Sequence, residues 1–416
     1  MTACAIDPSV DPGVPEGPRA ACSITADGAY AARLARRGDA RYAERWTLDG
    51  PEPYAVPLPR GRPEAPGTGL MPMGDGRVLV HRRGAGRHLF ALLYPTGPGT
   101  GELPLGVVEC PRENPGMRLL PPVSDGTRAY ALAHGRHATS VWLVAGGRAG
   151  PEPLAEVPGR CSGGVWLDHS ARILALDREI DGRTKTVVVD LARGGEVSPL
   201  LQIAPDSDDR VLLADPDSGL LVLRSDAPAP GAPPGLGWGV LGSSRPVRFP
   251  ACLRLPGCTV TPFAIQPGQS LTPERCAVAL RLDGPLGSWV AVWRPAERRV
   301  HHLRPPRGWL TGGGTWTSDG VLQLPYAATE STCGVARLTP PVPDSAGPAG
   351  GGARPGQDGA VRPSGTPSAR PARVTPARPA GSWPAAWATA GQASAAGVGP
   401  RPVPLQQAPL AGLVTN

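Results

Sequence analysis

Few of the side chains able to do chemistry stand at the spacings chemistry requires. The seven histidines, His81, His88, His134, His137, His169, His301 and His302, include no H-E-x-x-H, the helical spacing that turns two imidazoles toward one zinc ion. The eight cysteines, Cys4, Cys22, Cys110, Cys161, Cys252, Cys258, Cys276 and Cys333, form no C-x-x-C. Zinc ribbons and thioredoxin-type redox chemistry therefore have no support, and small buried thiols are the expected role, with Cys252 and Cys258 the nearest to a pair. A serine hydrolase elbow, G-x-S-x-G, is absent from the chain, and so is the strand-to-helix context it needs. The glycine runs at 311–314 and 350–352 lack the Lys-Ser/Thr of a phosphate loop. No catalytic residue, metal ligand or cofactor is expected.

What remains is arginine. Seven short polar stretches, RRGDARYAE, HRRGAGRHL, HGRHATS, DREIDGRTK, RSDAPAPG, RLDGPLGS and YAATEST, together hold twelve cationic and eight acidic side chains. Four of the histidines lie there as well. Guanidinium groups bind carboxylate or phosphate in a planar, two-pronged fashion. Arg36, Arg37, Arg82, Arg83, His134, Arg136, Arg178, Arg224 and Arg281 are accordingly the candidate binding residues, suited to an anionic ligand or an acidic peptide. Charged surface loops are common in any protein. Trp309, in RPPRGWLTGGG, stands outside the pattern that accounts for the other tryptophans and is expected to be an exposed aromatic.

The elements that must position these stretches repeat seven times. A turn carrying Asp or Glu precedes an apolar strand, a polar loop and a second strand, in copies centred on Asp27, Asp75, Asp125, Asp168, Asp217, Glu274 and Asp319. Their separations are 48, 50, 43, 49, 57 and 45 residues, within reach of the period of about 40 to 50 of propeller blades. Asp-Gly and Asp-Ser suit tight turns, because glycine accepts positive φ and aspartate caps the backbone two residues on. Third strands follow in AERWTL, HLFALL, SVWLVA, TKTVVVDL, GWGVL, SWVAVW and TCGVARL. Outer strands follow in PYAVPL, PLGVVEC, PLAEV, SPLLQIA, RPVRFP and RVHHL, more polar or proline-bearing, as edges should be.

TADG, SDG, DPDSG and TSDG, with VVVDLARGG at 187–195, resemble the TolB-type propeller repeat. That repeat is also found in the non-catalytic propeller of prolyl-oligopeptidase-like peptidases. The likeness covers residues 20–338 and implies an all-β, seven-bladed β-propeller without the peptidase's catalytic domain; six or eight blades are the neighbouring counts. Three departures fall in blades 5 and 6: ADPDSG has an extra residue, LTPERC lacks the turn glycine, and the 57-residue interval carries a Pro/Gly insertion at 227–237. The seventh copy shows no clear outer strand, so either residues 2–6 of the N-terminal segment 1–19 or LTPPV could close the last blade.

Composition sets the outer bounds. Gly 56 and Pro 54 in 416 residues, with 5% aromatics, point to a partly unfolded chain, and the Pro/Gly/Ala/Arg-rich residues 339–416 are expected to form a disordered tail. About half of the net charge of +7 falls in residues 339–416, where six Arg stand against two Asp, and the rest of the chain is only mildly basic, without the stripe that nucleic acid binding needs. No apolar run reaches membrane-spanning length, and no signal peptide is visible, so a cytoplasmic monomer is expected. The expected function is non-catalytic: a binding or scaffold module for a protein or peptide. Two alternatives are a metal-dependent, lactonase-like hydrolase and a companion to an oligopeptidase. The hydrolase needs acids converging on the channel, whereas the recurring Asp168, Asp217 and Glu274 are accounted for by their turns.

Overall fold

The computed structural model describes residues 22–84, 86–110, 116–229, 231, 233–329 and 332–341. Seven antiparallel sheets follow one another along this unit, and within each sheet the strands are neighbours in chain order.

Blade 1 comprises β1 (Ser23–Ile24), β2 (Tyr30–Arg37), β3 (Ala40–Thr47) and β4 (Tyr54–Leu58). Blade 2 comprises β5 (Gly69–Pro72), β6 (Val78–Gly84), β7 (Arg87–Thr96) and β8 (Gly99–Glu109). Blade 3 follows with β9 (Met117–Leu119), β10 (Ala129–His134), β11 (Ala138–Ala145) and β12 (Glu152–Pro158). Blade 4 has β13 (Arg160–Trp166), β14 (Ile173–Ile180), β15 (Arg183–Asp190) and β16 (Glu196–Leu201). Blade 5 has three strands, β17 (Asp209–Ala214), β18 (Leu220–Ser225) and β19 (Gly235–Val240). Blade 6 regains four, β20 (Thr259–Ile265), β21 (Val278–Gly284), β22 (Gly287–Trp293) and β23 (His301–Leu303), and blade 7 has β24 (Thr315–Trp316), β25 (Leu322–Tyr326) and β26 (Gly334–Leu338).

The seven-bladed propeller expected from the repeat is thus observed. In blade 5 the expected outer strand RPVRFP is reduced to one bridge, Trp238 to Arg248. Prolines at 246 and 250 leave this stretch few N–H groups for a ladder.

Second strands such as VLVH and LLVL are buried on both faces because each blade is covered by a neighbour on either side. The core is divided accordingly. Seven clusters of buried side chains each join two sheets: blades 1 and 2, 2 and 3, 3 and 4, 4 and 5, 5 and 6, 6 and 7, and 7 with 1. The last joins the two ends of the ring, with Cys22, Ala31 and Trp46 packed against Leu310, Cys333 and Val335. Among the described residues the two ends of the ring meet through this apolar packing, with β1 paired within its own blade and β26 as the last strand of blade 7. Residues 2–6 and the tail from 342 onward lie outside the described residues.

Turns knit the blades on one face. The Gly74 N–H of blade 2 donates to the Gly126 carbonyl of blade 3 at 2.8 Å. Gly126 has φ +61, and a Cβ there would sit 2.8 Å from the Gly74 Cα, so this close backbone approach requires glycine.

Candidate binding face

The polar stretches between second and third strands emerge together on the face opposite those turns. Their geometry comes from tight hairpins. Between β14 and β15, Ile180 pairs with Arg183, which leaves Asp181 (φ 52) and Gly182 (φ 72) as a two-residue turn of the type that matches strand twist. Arg37 and Ala40 likewise bracket a two-residue turn in blade 1.

The nine candidate residues all lie at this end of their strands, yet they are not equivalent. Arg36 and Arg37 are exposed on the blade 1 hairpin, and Arg136 is exposed on that of blade 3. Arg83 is exposed but sends Nη2 to the Met117 carbonyl of the next blade at 3.2 Å. Arg178 and His134 are half-buried. Arg82 is committed internally: Nε and Nη2 grip the Glu64 carboxylate at 2.9 and 2.6 Å, and Nη1 reaches Glu102 at 2.8 Å. Arg281 is 6% exposed and its Nε donates to Asp283 at 2.7 Å. The sequence count therefore overstates the cationic surface, because it cannot see which guanidinium groups fold back onto carboxylates.

Trp309 departs from expectation. It is 9% exposed, lies 5.8 Å from the Phe263 ring, and its indole N–H donates to the Gly313 carbonyl at 2.8 Å. The glycine-rich segment after it supplies the acceptor that allows the indole to be buried.

Arg224 opens onto a sizeable cavity. A pocket of about 540 Å³ lies at the junction of blades 5 and 6 on this face. One wall is the loop after β18, which contains the Pro/Gly insertion, and the other is the connection Leu253–Val260 leading into β20. Leu236, Leu253, Pro228, Pro234 and Pro256 make much of the lining, with Arg224, Arg254 and Asp226 as its charged members. The Arg224 Nη2 donates to the Val260 carbonyl at 3.0 Å. Burial, then the charge of Arg210, lowers the Arg224 pKa from its ordinary value.

On the opposite face, Ser124 Oγ lies 3.2 Å from His169 Nδ1, and His169 Nε2 lies 2.9 Å from Asp217 Oδ1. These three side chains come from the turns of blades 3, 4 and 5, and His169 is 56% exposed. Water reaches the imidazole freely, so the chain of contacts aligns neighbouring turns.

The recurring acids are similarly engaged. Asp168 accepts from the Arg172 and Ile173 N–H groups at 3.0 and 2.8 Å, and Glu274 faces Arg245 at 3.8 Å. No group of three His, Cys, Asp or Glu side chains is placed to hold a metal among the described residues. Cys252 and Cys258 are not joined by a disulfide.

Two buried acids join blades 4 and 5, and sequence reasoning passed over their roles. Asp209 is fully buried and takes Lys185 Nζ at 2.7 Å, Ser225 Oγ at 2.6 Å and the Ile203 N–H at 2.9 Å. Asp177 accepts from Thr186 Oγ1 at 2.8 Å and from the Val211 N–H of blade 5 at 3.3 Å, while Arg210 Nη1 stays 3.9 Å away. Burial pushes the Asp177 carboxyl up to about 6, outweighing the Thr186 and Arg210 contributions. A sole lysine, Lys185, was the available signal, since a lysine kept in an arginine-dominated chain suits a compact ion-pair site.

No family model matches the chain, and no curated protein matches it. Solved structures do. TolB from Acinetobacter baumannii is 12% identical, with 74% of this chain and 78% of that chain covered, at a TM-score of 0.41. A prolyl endopeptidase structure is 15% identical over 77% of this chain at 0.45; the match spans about half of that protein, 47%. An oligogalacturonate lyase in complex with manganese is 12% identical, with 77% and 90% covered, at 0.47. The expected likeness to TolB and prolyl-oligopeptidase propellers is found. At these identities it speaks of fold alone, and the propeller itself rests on the seven sheets.

Proposed function

We propose that this chain is a non-catalytic propeller that binds a protein or peptide partner on the hairpin face, acting in the cytoplasm as a monomeric platform. The observation carrying this reading is the pocket between blades 5 and 6, which lies on the face where Arg36, Arg37 and Arg136 are exposed. A rigid ring presenting variable loops is the usual arrangement for recognition. An acidic partner fits exposed guanidinium groups, and such attraction weakens with salt.

The test is partner capture from native lysate at low and moderate salt. Full-length protein is compared with Arg36→Glu/Arg37→Glu on the hairpin face and His169→Ala on the turn face. A partner held by the wild type and by His169→Ala, released by salt and lost with the glutamates, supports the reading. Equal capture by all three proteins refutes it.

A further inference from the structure

We propose that the pocket between blades 5 and 6 is a carboxylate site, taking one carboxylate on a short apolar body, with the C-terminal end of a peptide as its source. This rests on the binding role proposed above and names the ligand chemistry of that face.

The argument begins with the two arginines. Arg224 is half-buried, and the acceptor it reaches is the neutral Val260 carbonyl at 3.0 Å. Among the described residues no carboxylate stands within ion-pair distance of it, whereas Arg82 and Arg281 on the same face are both matched by carboxylates. A guanidinium withdrawn from water without a counter-charge is costly, and a bound anion removes that cost. The depressed Arg224 pKa agrees, because burial and the like charge of Arg210 both act against the cation.

Arg254 supplies the second fork. Its guanidinium lies over Gly235, where a Cβ would be only 3.7 and 3.8 Å from Nε and Nη2. Gly235 is the register partner of Ser225, next to Arg224, so both arginines border one cavity. No ion pair holds Arg254 among the described residues.

Charge and shape narrow the ligand. Against two guanidiniums stands one lining acid, Asp226, whose Oδ1 accepts the Asp208 N–H at 2.7 Å. The balance of one positive charge matches a monoanion, while a phosphate dianion would face Asp226 in excess. Much of the remaining wall is proline and leucine, with Ser225, Cys258 and Thr259 as its uncharged polar members, and proline has no N–H to offer. Such walls bind an apolar body by contact and leave the anion to the arginines. A volume of about 540 Å³ falls within the range of about 300 to 1,000 Å³ seen for small-ligand pockets.

Calorimetric titration of the full chain tests this with three probes: N-acetyl-Ala-Pro-Leu as the free acid, the same peptide as its C-terminal amide, and inorganic phosphate. The free acid is expected to bind best. The amide, and the acid on Arg254→Gln, should each lose about tenfold or more, the loss expected for a charge-assisted hydrogen bond. Arg254 is exposed, so that variant should keep the wild-type urea midpoint. Equal affinity for acid and amide overturns the proposal, as does tighter binding of phosphate, indifference to Arg254→Gln, or no saturation below about 1 mM acid. Should the peptide fail while the Arg36/Arg37 variant still loses its partner, the pocket assignment falls and the binding face stands.

Discussion

Replacing Asp177 by asparagine should stabilise the propeller at neutral pH and leave it nearly unchanged near pH 4. Asp177 is 4% exposed, and burial raises its carboxyl from 3.8 to about 6. Between those values the folded chain holds a proton that the unfolded chain has released. Stability attributable to this group therefore falls as pH rises through that window. A displacement of about two pH units is worth about 3 kcal/mol, taken as an order of magnitude. Asparagine keeps an acceptor for Thr186 Oγ1 and the Val211 N–H, the two contacts that Asp177 Oδ1 makes. The assay is urea unfolding of both proteins from pH 4 to pH 7. The carboxyls of Asp75, Asp125 and Asp190 are lowered by hydrogen bonds and arginine partners, act in the opposite direction at lower pH, and cancel between the two proteins. The asparagine variant's advantage should grow by about 3 kcal/mol across the window. A flat difference would refute the reasoning. An advantage that shifts to the wild type as pH rises would show instead that Arg210, despite its 3.9 Å distance, holds the carboxylate charged.

Three further outcomes follow from contacts between blades and within them. Arg82→Ala should cost about 2 to 4 kcal/mol in urea unfolding, because it leaves Glu64, 8% exposed, without its two-pronged partner; restored stability in Arg82→Ala/Glu64→Gln checks the cause. Trp309→Ala should cost about 3 to 5 kcal/mol by opening a cavity between blades 6 and 7, whereas partner binding lost without a stability change would mean the indole is a contact residue after all. Gly126→Ala should cost about 1 to 3 kcal/mol, since φ +61 and the Gly74 backbone both exclude a side chain; thermal unfolding against Gly182→Ala, which meets nothing within 4 Å, separates the clash from the dihedral strain.

The ring was legible in the sequence because its determinants are local. An Asp-Gly turn and the strand after it are set within about ten residues, so seven copies at near-constant spacing predicted seven sheets. The fifth blade's outer strand is expected in full at RPVRFP; its prolines, there the mark of an edge strand, in fact reduce it to one bridge. Pairings between blades were not legible. Whether Arg82 is a ligand contact or a brace depends on Glu64 and Glu102, placed 18 and 20 residues away by the fold. Burial of Trp309 depends on Phe263 in the preceding blade and on a carbonyl four residues downstream. The raised pKa of Asp177 depends on the burial that the fold imposes on it, against which the Val211 N–H of the following blade acts.

The faces of the ring also differ in how freely their loops can change. On the turn face, neighbouring blades touch through backbone and short side chains: Gly74 with Gly126, Arg128 Nη2 with the Ser170 carbonyl at 2.9 Å, and His169 with Asp217. A lengthened turn there would push adjacent blades apart and expose the cluster beneath them. On the other face the tips of the blade 1 and blade 4 hairpins are open: a Cβ at Gly38 or Gly182 meets nothing within 4 Å. The one interval stretched to 57 residues has its insertion on that side, in the blade whose fourth strand is reduced to a single bridge. An insertion that merely filled space would be expected to cover Arg224. This one instead stands beside it as a proline wall and leaves the guanidinium facing a cavity. Shortening the loop by deleting residues 228–233 should therefore leave the urea midpoint close to wild type, because the blade 5 core of Leu220, Val222 and Trp238 lies outside it. The same deletion should abolish binding of the free-acid peptide. A large loss of stability would show that the insertion is integral to the blade's scaffold and not an addition to it.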